Sequence, residues 1–288
     1  MEVNFAQALV SGLLTGFVFA LIAAGLTLIF GVMEIVNFAH GEFLMLSMYL
    51  SYFFHTFLRL DPLLALPLNA AALFALGVIV YYALIRRVLK APMLAQIFAT
   101  FGLGVFLQSL AQFLWRPDFR TLGETWVSGR RIALAGVFVS GPQLAAAAGA
   151  VVTTALLWWL LPRTSTGRAL LATAEDKQAA ALMGIDPDRM FALAWGIGAA
   201  CVGVAGALLS TFHYVFPQVG SQFALIAFVA VALGGFGSVL GAFAGGIAIG
   251  VVESLSGVFI EPALKNLFVF AIYLIVVLAR PRGLLGKQ

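Results

Sequence analysis

The strongest constraint on this chain is Tyr214–Val252, a stretch of 39 residues without a formal charge. As one helix rising 1.5 Å per residue it would extend roughly 58 Å, nearly twice the ~30 Å hydrocarbon core of a bilayer. We therefore expect the stretch to cross a membrane twice. The glycine-rich turn Gly234–Gly237 supplies the bend, because glycine adopts backbone conformations that other residues avoid.

Seven further segments are long and mostly apolar, so each is expected to form one span. They are Val3–Met33, Phe43–Leu58, Pro62–Ile85, Ala91–Trp115, Gly141–Pro162, Phe191–Phe212 and Pro262–Ala279. The total is nine spans, or eight if one segment enters the membrane and returns on the same side. Charged residues make up only 10% of the chain, against about 25% in soluble domains. The sequence therefore predicts an all-α polytopic membrane protein, with residues 1–288 forming a single transmembrane domain.

The positions of Lys and Arg predict the orientation, because cytoplasmic loops of membrane proteins are enriched in them. With nine spans, ten of these residues fall on one side and six on the other. The ten are Arg86, Arg87, Lys90, Arg163, Arg168, Lys177, Arg189, Arg280, Arg282 and Lys287. This places residues 163–189 and the C-terminus in the cytoplasm. Residues 116–140 then form an external loop, in which we expect a short hairpin.

The cytoplasmic loop 163–189 carries helix signals. Thr166 is a candidate N-cap, a single helix is expected over Glu175–Met183, and Gly184 suits the position after a helix end. The pair Asp186-Pro187 suits the start of the next helix. Two interpretations stay open: a connector lying on the membrane surface, or a docking helix for a cytoplasmic partner.

Polar residues interrupt the apolar pattern between the first two spans, at Glu34, Asn37, His40 and Glu42. Ionisable groups at membrane depth are costly and are often functional. They could form a structural turn, or they could line a translocation pathway. A regular helix would not place all four on one face. Glu253, near the external end of the eighth span, is expected to contact water or lipid head groups.

Glycines at Gly237, Gly241 and Gly245 repeat every four residues, as do small residues in many close-packed membrane helices. The pattern predicts tight helix packing, either within the chain or at a seam between subunits. The single cysteine, Cys201, excludes a disulfide framework and a cysteine-based metal site, and it is interpreted as a packing residue.

Several segments resemble known transporter motifs. Gln178-Ala179-Ala180, followed after three residues by Gly184, resembles the Glu-Ala-Ala loop of ATP-binding-cassette (ABC) importer permeases, with Gln178 in place of the glutamate. Four other segments are similar to the high-affinity branched-chain amino acid permease family, and they follow the family order along nearly the whole chain. They are Gly31–Glu42, Ala99–Gly102, Thr166–Arg168 and Ala232–Ser238.

The resemblance implies the permease subunit of an ATP-driven importer in a bacterial or archaeal cytoplasmic membrane. Implied partners are a second permease subunit, two cytoplasmic ATPases that bind ATP and Mg, and an external substrate-binding protein. The implied solute is a branched-chain amino acid, urea, a short amide or a related small polar molecule. The implied ATPase-coupling residues are Glu175, Asp176, Gln178, Ala179, Ala180 and Gly184. Candidate pathway residues are Asn37, His40, Glu42 and Thr100.

Alternative functions are weaker on sequence grounds. The chain has no Walker A pattern, so it is not itself a P-loop ATPase, and no hydrolase or metalloprotease motif is present. We therefore expect a non-catalytic subunit without a cofactor of its own. The remaining alternative is a self-sufficient secondary transporter or channel, for which Glu34, His40 and Glu42 are the best argument.

Overall fold

The computed structural model describes residues 2–134, 136–261, 264–280 and 283–285, and these residues are predominantly helical. Of the residues used for the predictions above, Pro262, Arg282 and Lys287 lie outside the described residues. The helices are α1 Glu2–Met33, α2 His40–Leu58, α3 Pro62–Val80, α4 Arg86–Val88, α5 Met93–Trp115, α6 Gly141–Arg163, α7 Ser165–Glu175, α8 Lys177–Leu182, α9 Pro187–Leu209, α10 Val219–Gly234, α11 Val239–Phe259 and α12 Lys265–Ala279. A π-helical turn, Tyr81–Ile85, joins α3 to α4.

Nine of these helices coincide with the nine predicted spans, and the prediction of an all-α polytopic fold is confirmed. Within the described residues, six helices are long and apolar enough to cross a membrane by length and composition: α1, α3 with its extension, α5, α6, α9 and α11. Helices α10 and α12 have 16 and 15 residues. Helix α2 has 19 residues, with His40 and Glu42 in its first turn.

The predicted bend in the charge-free stretch is also confirmed. Helix α10 ends at Gly234 and α11 begins at Val239. Between them Gly235 has φ +105° and Gly237 has φ +81°, conformations that L side chains rarely adopt. The chain therefore reverses within four residues, as the glycine run predicted.

The connections between spans meet alternately at two ends of the bundle. Residues 116–140, which we call the hairpin loop, contain two antiparallel strands, β1 Arg131–Leu134 and β2 Val137–Ser140. This is the hairpin expected from the sequence. The end that carries it is called the hairpin end. The opposite end carries residues 163–189, called the α7–α8 loop, and is called the α8 end.

Helices α1 and α9 form the centre of the bundle, and α11 packs along α1. The closest approaches involve glycine: a side chain at Gly246 would overlap the backbone of Ala20, and one at Gly250 would overlap that of Gly16. The large indole of Trp195 in α9 is fully buried. Small residues thus let α1 and α11 meet at backbone distance, which is a common packing mode in membranes.

Candidate functional site

The α7–α8 loop forms a compact two-helix element at one end of the bundle. Helix α7 buries Leu170 and Thr173 and packs against α6, α1 and α9. Its N-cap is Thr164, whose hydroxyl accepts a hydrogen bond from the amide of Gly167 at 3.0 Å. The prediction of Thr166 as N-cap is therefore wrong by two residues, because Thr164 lies at the junction with α6 and can close both helices.

A single helix over Glu175–Met183 was expected, and this prediction is wrong. The chain breaks at Asp176, which has φ −154° and ψ 106°. Its carboxylate accepts hydrogen bonds from the amides of Gln178 (2.8 Å) and Ala179 (3.0 Å) and so caps a new helix, α8. A side chain that bonds its own backbone in this way competes with helix continuation. These bonds, that from Ala179 first, lower the pKa of the Asp176 carboxyl below its usual value.

Helix α8 ends as the sequence predicted. Gly184 has φ +83°, the left-handed conformation typical of the residue after a helix. The Asp186 carboxylate then accepts hydrogen bonds from the amides of Asp188 and Arg189, and Pro187 is the first residue of α9. The end of α8 at Leu182 and the start of α9 at Pro187 are thus separated by a very short link.

The surface of α8 is apolar at its tip. Leu182 is 89% exposed and Met183 is 82% exposed, while Gln178 and Ala179 are exposed and Ala180 is buried. Two large, exposed apolar side chains at the end of a short, capped helix are typical of a protein-docking surface. Of the six predicted coupling residues, Gln178, Ala179 and Ala180 lie in α8. Asp176 is its N-cap, Gly184 follows its end, and Glu175 is the last residue of α7.

Sequence reasoning missed a polar cluster beside this element. The hydroxyl of Tyr81 donates a hydrogen bond of 2.7 Å to Asp188, and the guanidinium of Arg86 lies 3.1 Å from the same carboxylate. The cluster ties the end of α3 to the start of α9, next to the α7–α8 loop. In the sequence, Arg86 counts only as a basic loop residue and Asp188 as an acidic residue in a first helical turn, while Tyr81 looks like part of an apolar span.

The four candidate pathway residues gather around the link between α1 and α2. Asn37 is buried, and its Oδ1 accepts a hydrogen bond from the amide of Ala39 at 3.1 Å. The hydroxyl of Thr100 in α5 donates to the carbonyl of Val36 at 3.0 Å. Two of the four side chains therefore hold the link in shape.

The link itself leaves the regular helix. Helix α1 ends at Met33, and the exposed Glu34 follows with φ +59°. In the first turn of α2, Nε2 of the buried His40 lies 3.0 Å from the carbonyl oxygen of Ile22. The Oε2 atom of Glu42 is buried and has no hydrogen-bond partner among the described residues. Nδ1 of His40 is likewise buried without a partner among the described residues, so the fold leaves one polar atom unsatisfied on each of these two side chains.

The three packing glycines lie at the α10–α11 turn. The amide of Gly237 donates a hydrogen bond of 3.0 Å to the hydroxyl of Thr27. A side chain at Gly241 would overlap the backbone of Gly234, and one at Gly245 would overlap that of Ala230. All three therefore face other parts of the same chain. Within the described residues, no group of three His, Cys, Asp or Glu side chains is arranged to hold a metal ion.

The apolar spans, the glycine seams and the helical element at one end define an all-α, multi-pass membrane protein. Residues 8–277 match the model of the family described as "Branched-chain amino acid transport system / permease component". The chain belongs to this family. It is therefore a membrane permease component, as expected from the resemblance.

Named relatives agree over nearly the full length. The chain is 33% identical to the high-affinity branched-chain amino acid transport system permease protein BraD of Pseudomonas aeruginosa, over 99% of this chain and 96% of the relative. It is 32% identical to the corresponding protein LivH of Escherichia coli K12, over 98% and 96%. The probable branched-chain amino acid transport permease protein LivH of Methanocaldococcus jannaschii is 28% identical, over 92% and 88%. No solved structure matches the chain significantly.

Proposed function

We propose that this chain is the membrane-spanning subunit of an ATP-driven importer for branched-chain amino acids or closely related small polar solutes. The family match over residues 8–277 carries the proposal. The permease proteins BraD and LivH, matched end to end, name branched-chain amino acids as the solutes of their transport systems. The capped, apolar-tipped helix α8 supports the proposal, because it supplies a surface on which an ATPase subunit can act.

The proposed assembly has the α8 end in the cytoplasm and the hairpin end outside, in a bacterial or archaeal cytoplasmic membrane. Two ATPase subunits, which bind ATP and Mg, contact the α7–α8 loop of this chain and of a second permease subunit. An external binding protein delivers solute at the hairpin end. The excess of Lys and Arg at the α8 end supports this orientation.

The packing of α7 and α8 on the bundle provides a route by which ATP hydrolysis can be coupled to solute movement. Movement of α8 by an ATPase is passed to α7, which packs on α1, α6 and α9. The cluster of Tyr81, Arg86 and Asp188 joins α9 to the end of α3, so these helices shift together. Closely packed elements move as rigid bodies rather than deforming continuously, and such a shift can open one end of a pathway while closing the other.

Asn37, His40, Glu42 and Thr100 are proposed to lie along that pathway. Glu42 supports this most directly, since a buried carboxylate oxygen without a protein partner is costly unless it meets a ligand, ion or water. The same residue favours the alternative of a gradient-driven transporter. The proposed importer uses ATP and the alternative transporter uses an ion gradient, so the experiment tests the energy source of uptake.

The experiment reconstitutes the chain into proteoliposomes with ATPase, second-permease and binding-protein subunits from the same organism, and follows uptake of labelled leucine. We expect uptake that requires ATP and binding protein, stops when the ATPase Walker A lysine is replaced, and is insensitive to ionophores. Labelled urea serves as the competing solute. Uptake by this chain alone, driven by an ion gradient, would contradict the proposal.

A further inference from the structure

A cavity of about 660 Å³ lies at the hairpin end of the bundle. It is bounded by the parts of α1, α10, α11 and α12 nearest that end, with Ser11, Gln222, Glu253 and Lys265 among its polar lining. Small-molecule sites in proteins commonly measure about 300–1,000 Å³. The cavity is therefore large enough to hold an amino acid together with some water.

The charged part of its wall is an ion pair between two helices. The ammonium of Lys265, in the first turn of α12, lies 2.5 Å from Oε1 of Glu253 in α11. The Glu253 side chain is only 15% exposed and that of Lys265 is 46% exposed. The expectation that Glu253 simply contacts water or head groups is therefore wrong. Its neighbour Ser254 is already engaged, because its hydroxyl donates to the carbonyl of Ala8 at 2.7 Å.

The rest of the wall is mostly apolar. Phe19, Phe223, Ile226, Val258 and Phe270 line it. A negative group, a positive group and an apolar chamber side by side match the three parts of an α-amino acid whose side chain is a hydrocarbon. Neutral polar solutes such as urea or a short amide would match the polar wall only.

We propose that this cavity is an outer binding subsite for the zwitterion of an apolar α-amino acid. Glu253 receives the α-ammonium group, Lys265 receives the α-carboxylate, and the side chain enters the apolar chamber. The proposal rests on the import function proposed above and specifies its substrate class.

Charge balance favours a zwitterion over singly charged solutes. When the ligand enters, one protein ion pair is exchanged for two protein–ligand pairs, so neither Glu253 nor Lys265 is left with an unpaired charge. Breaking the pair without replacement would leave the largely buried Glu253 carboxylate without its partner, which is unfavourable. An amine or a carboxylic acid of the same shape would replace only one half of the pair.

The first test uses the wild-type complex in nanodiscs, without the binding protein, and measures binding of labelled leucine. Competitors are unlabelled leucine, 3-methylbutylamine, which lacks the carboxylate, and 4-methylpentanoate, which lacks the ammonium. We expect both analogues to compete at least about tenfold more weakly than leucine. Equal competition by either analogue, or absence of leucine binding, would overturn the proposal.

The second test compares Glu253→Gln, Lys265→Gln and the charge exchange Glu253→Lys with Lys265→Glu, using Glu261→Gln as a control in the neighbouring loop. ATP-driven leucine uptake is measured beside membrane yield and basal ATP hydrolysis. Each single variant is expected to raise the KM for uptake at least about tenfold. The exchange restores the ion pair but reverses the ligand, so the side chain no longer points into the apolar chamber and uptake stays impaired.

The outcomes separate the subsite from the function. Full recovery of leucine uptake in the charge exchange would show that the pair is only a clamp between α11 and α12, and it would overturn the subsite. Unchanged uptake in both single variants, with normal wild-type import, would overturn the subsite and leave the importer function standing. Failure of the wild-type complex to import with ATP would instead overturn the function. The wild-type competition can overturn the subsite even if a variant fails to fold.

Discussion

The hairpin loop and the α7–α8 loop are the two long connections of this chain, and they are held in opposite ways. The hairpin loop is fastened to distant segments: the amide of Trp126 donates to Asp61 at 2.8 Å, and Phe138 exchanges two hydrogen bonds with the side chain of Gln7. Helix α8 is held by its own Asp176 cap and by backbone bonds within residues 176–185. Its apolar tip touches little of the chain.

The hairpin loop is a surface whose contacts are made within the chain, whereas the tip of α8 leaves apolar surface uncovered. A loop bonded to distant segments keeps its shape in the isolated subunit and can meet a transient partner without rearranging. A self-capped helix with large exposed apolar side chains keeps its own shape but leaves surface to be covered. The difference is what the proposed assembly requires, with a permanent, force-transmitting contact at the α7–α8 loop and a transient delivery contact at the hairpin end.

The largest expected effect concerns the side of the membrane on which each loop lies. In a Cys201→Ser background, Lys177→Cys and Glu124→Cys place single thiols in the two loops, at exposed positions. A membrane-impermeant maleimide added to intact cells should label position 124 and leave position 177 unlabelled until the cells are opened. Labelling of position 177 in intact cells would reverse the assignment of the two ends.

Gly184→Val tests whether the shape of the α7–α8 loop matters. Gly184 has φ +83°, and forcing a side chain into this conformation costs roughly 1–2 kcal/mol, and more for a β-branched residue. We expect normal membrane insertion and about a fivefold to thirtyfold loss of substrate-stimulated ATP hydrolysis, the factor that such an energy implies.

Gly184→Asn is the matched control, because Asn tolerates the left-handed conformation better than other residues with side chains. It should retain most of the stimulated hydrolysis. If Gly184→Val inserts normally and hydrolyses and transports like the wild type, the α7–α8 loop is a surface connector.

Asp61→Ala tests the fastening of the hairpin loop. The buried Asp61 caps α3 through the amide of Leu63 and accepts the amide of Trp126. Its removal leaves donors unpaired and should cost about 1–3 kcal/mol. We expect faster tryptic cleavage at Arg130 and Arg131 from outside and a lower Tm, with ATPase binding unchanged. Glu124→Ala, at an exposed site in the same loop, is the control; equal cleavage of both variants would mean that Asp61 does not fasten the loop.

Asp176→Ala is expected to have the smallest effect, a partial loss of coupling below that of Gly184→Val. Asp176→Asn should preserve function, since Asn also caps helices. Because hydrogen bonds lower the pKa of Asp176 in the folded chain, its stabilisation is complete above the ordinary pKa of Asp and is lost only as pH falls through the lowered value. Coupling measured around neutral pH should therefore show no titration from this residue, and a wild-type transition there that Asp176→Asn abolishes would contradict the assignment.

The features that could be predicted from sequence are local in the chain. The double crossing of Tyr214–Val252, its glycine bend, the Gly184 stop and the Asp186-Pro187 restart each depend on a few adjacent residues. The break at Asp176 was missed because the alanine-rich run after it favours helix strongly, which hides a cap whose effect appears only in the backbone bonds it makes.

The features that escaped prediction join helices that are distant in sequence. Tyr81 meets Asp188 and Asp61 meets Trp126 only after the spans have packed, and hydropathy does not reveal which helices are neighbours. Even burial could not be read from apolarity: 83% of the α9 span is buried against 22% of the α5 span, although both are apolar. Glycine-mediated contacts, as at Gly198 and Gly203 of α9, distinguish the inner helix.

The most direct test of this account places a photo-crosslinking phenylalanine analogue at Leu182, with the same analogue at Trp126 as the control. Both positions are exposed and apolar, and they lie at opposite ends of the bundle. In the intact complex, illumination should join position 182 to the ATPase subunit, and position 126 should give no ATPase adduct. Adducts from position 126, or an intact and active complex in which position 182 reaches only lipid, would contradict the assignment of the α7–α8 loop as the coupling element.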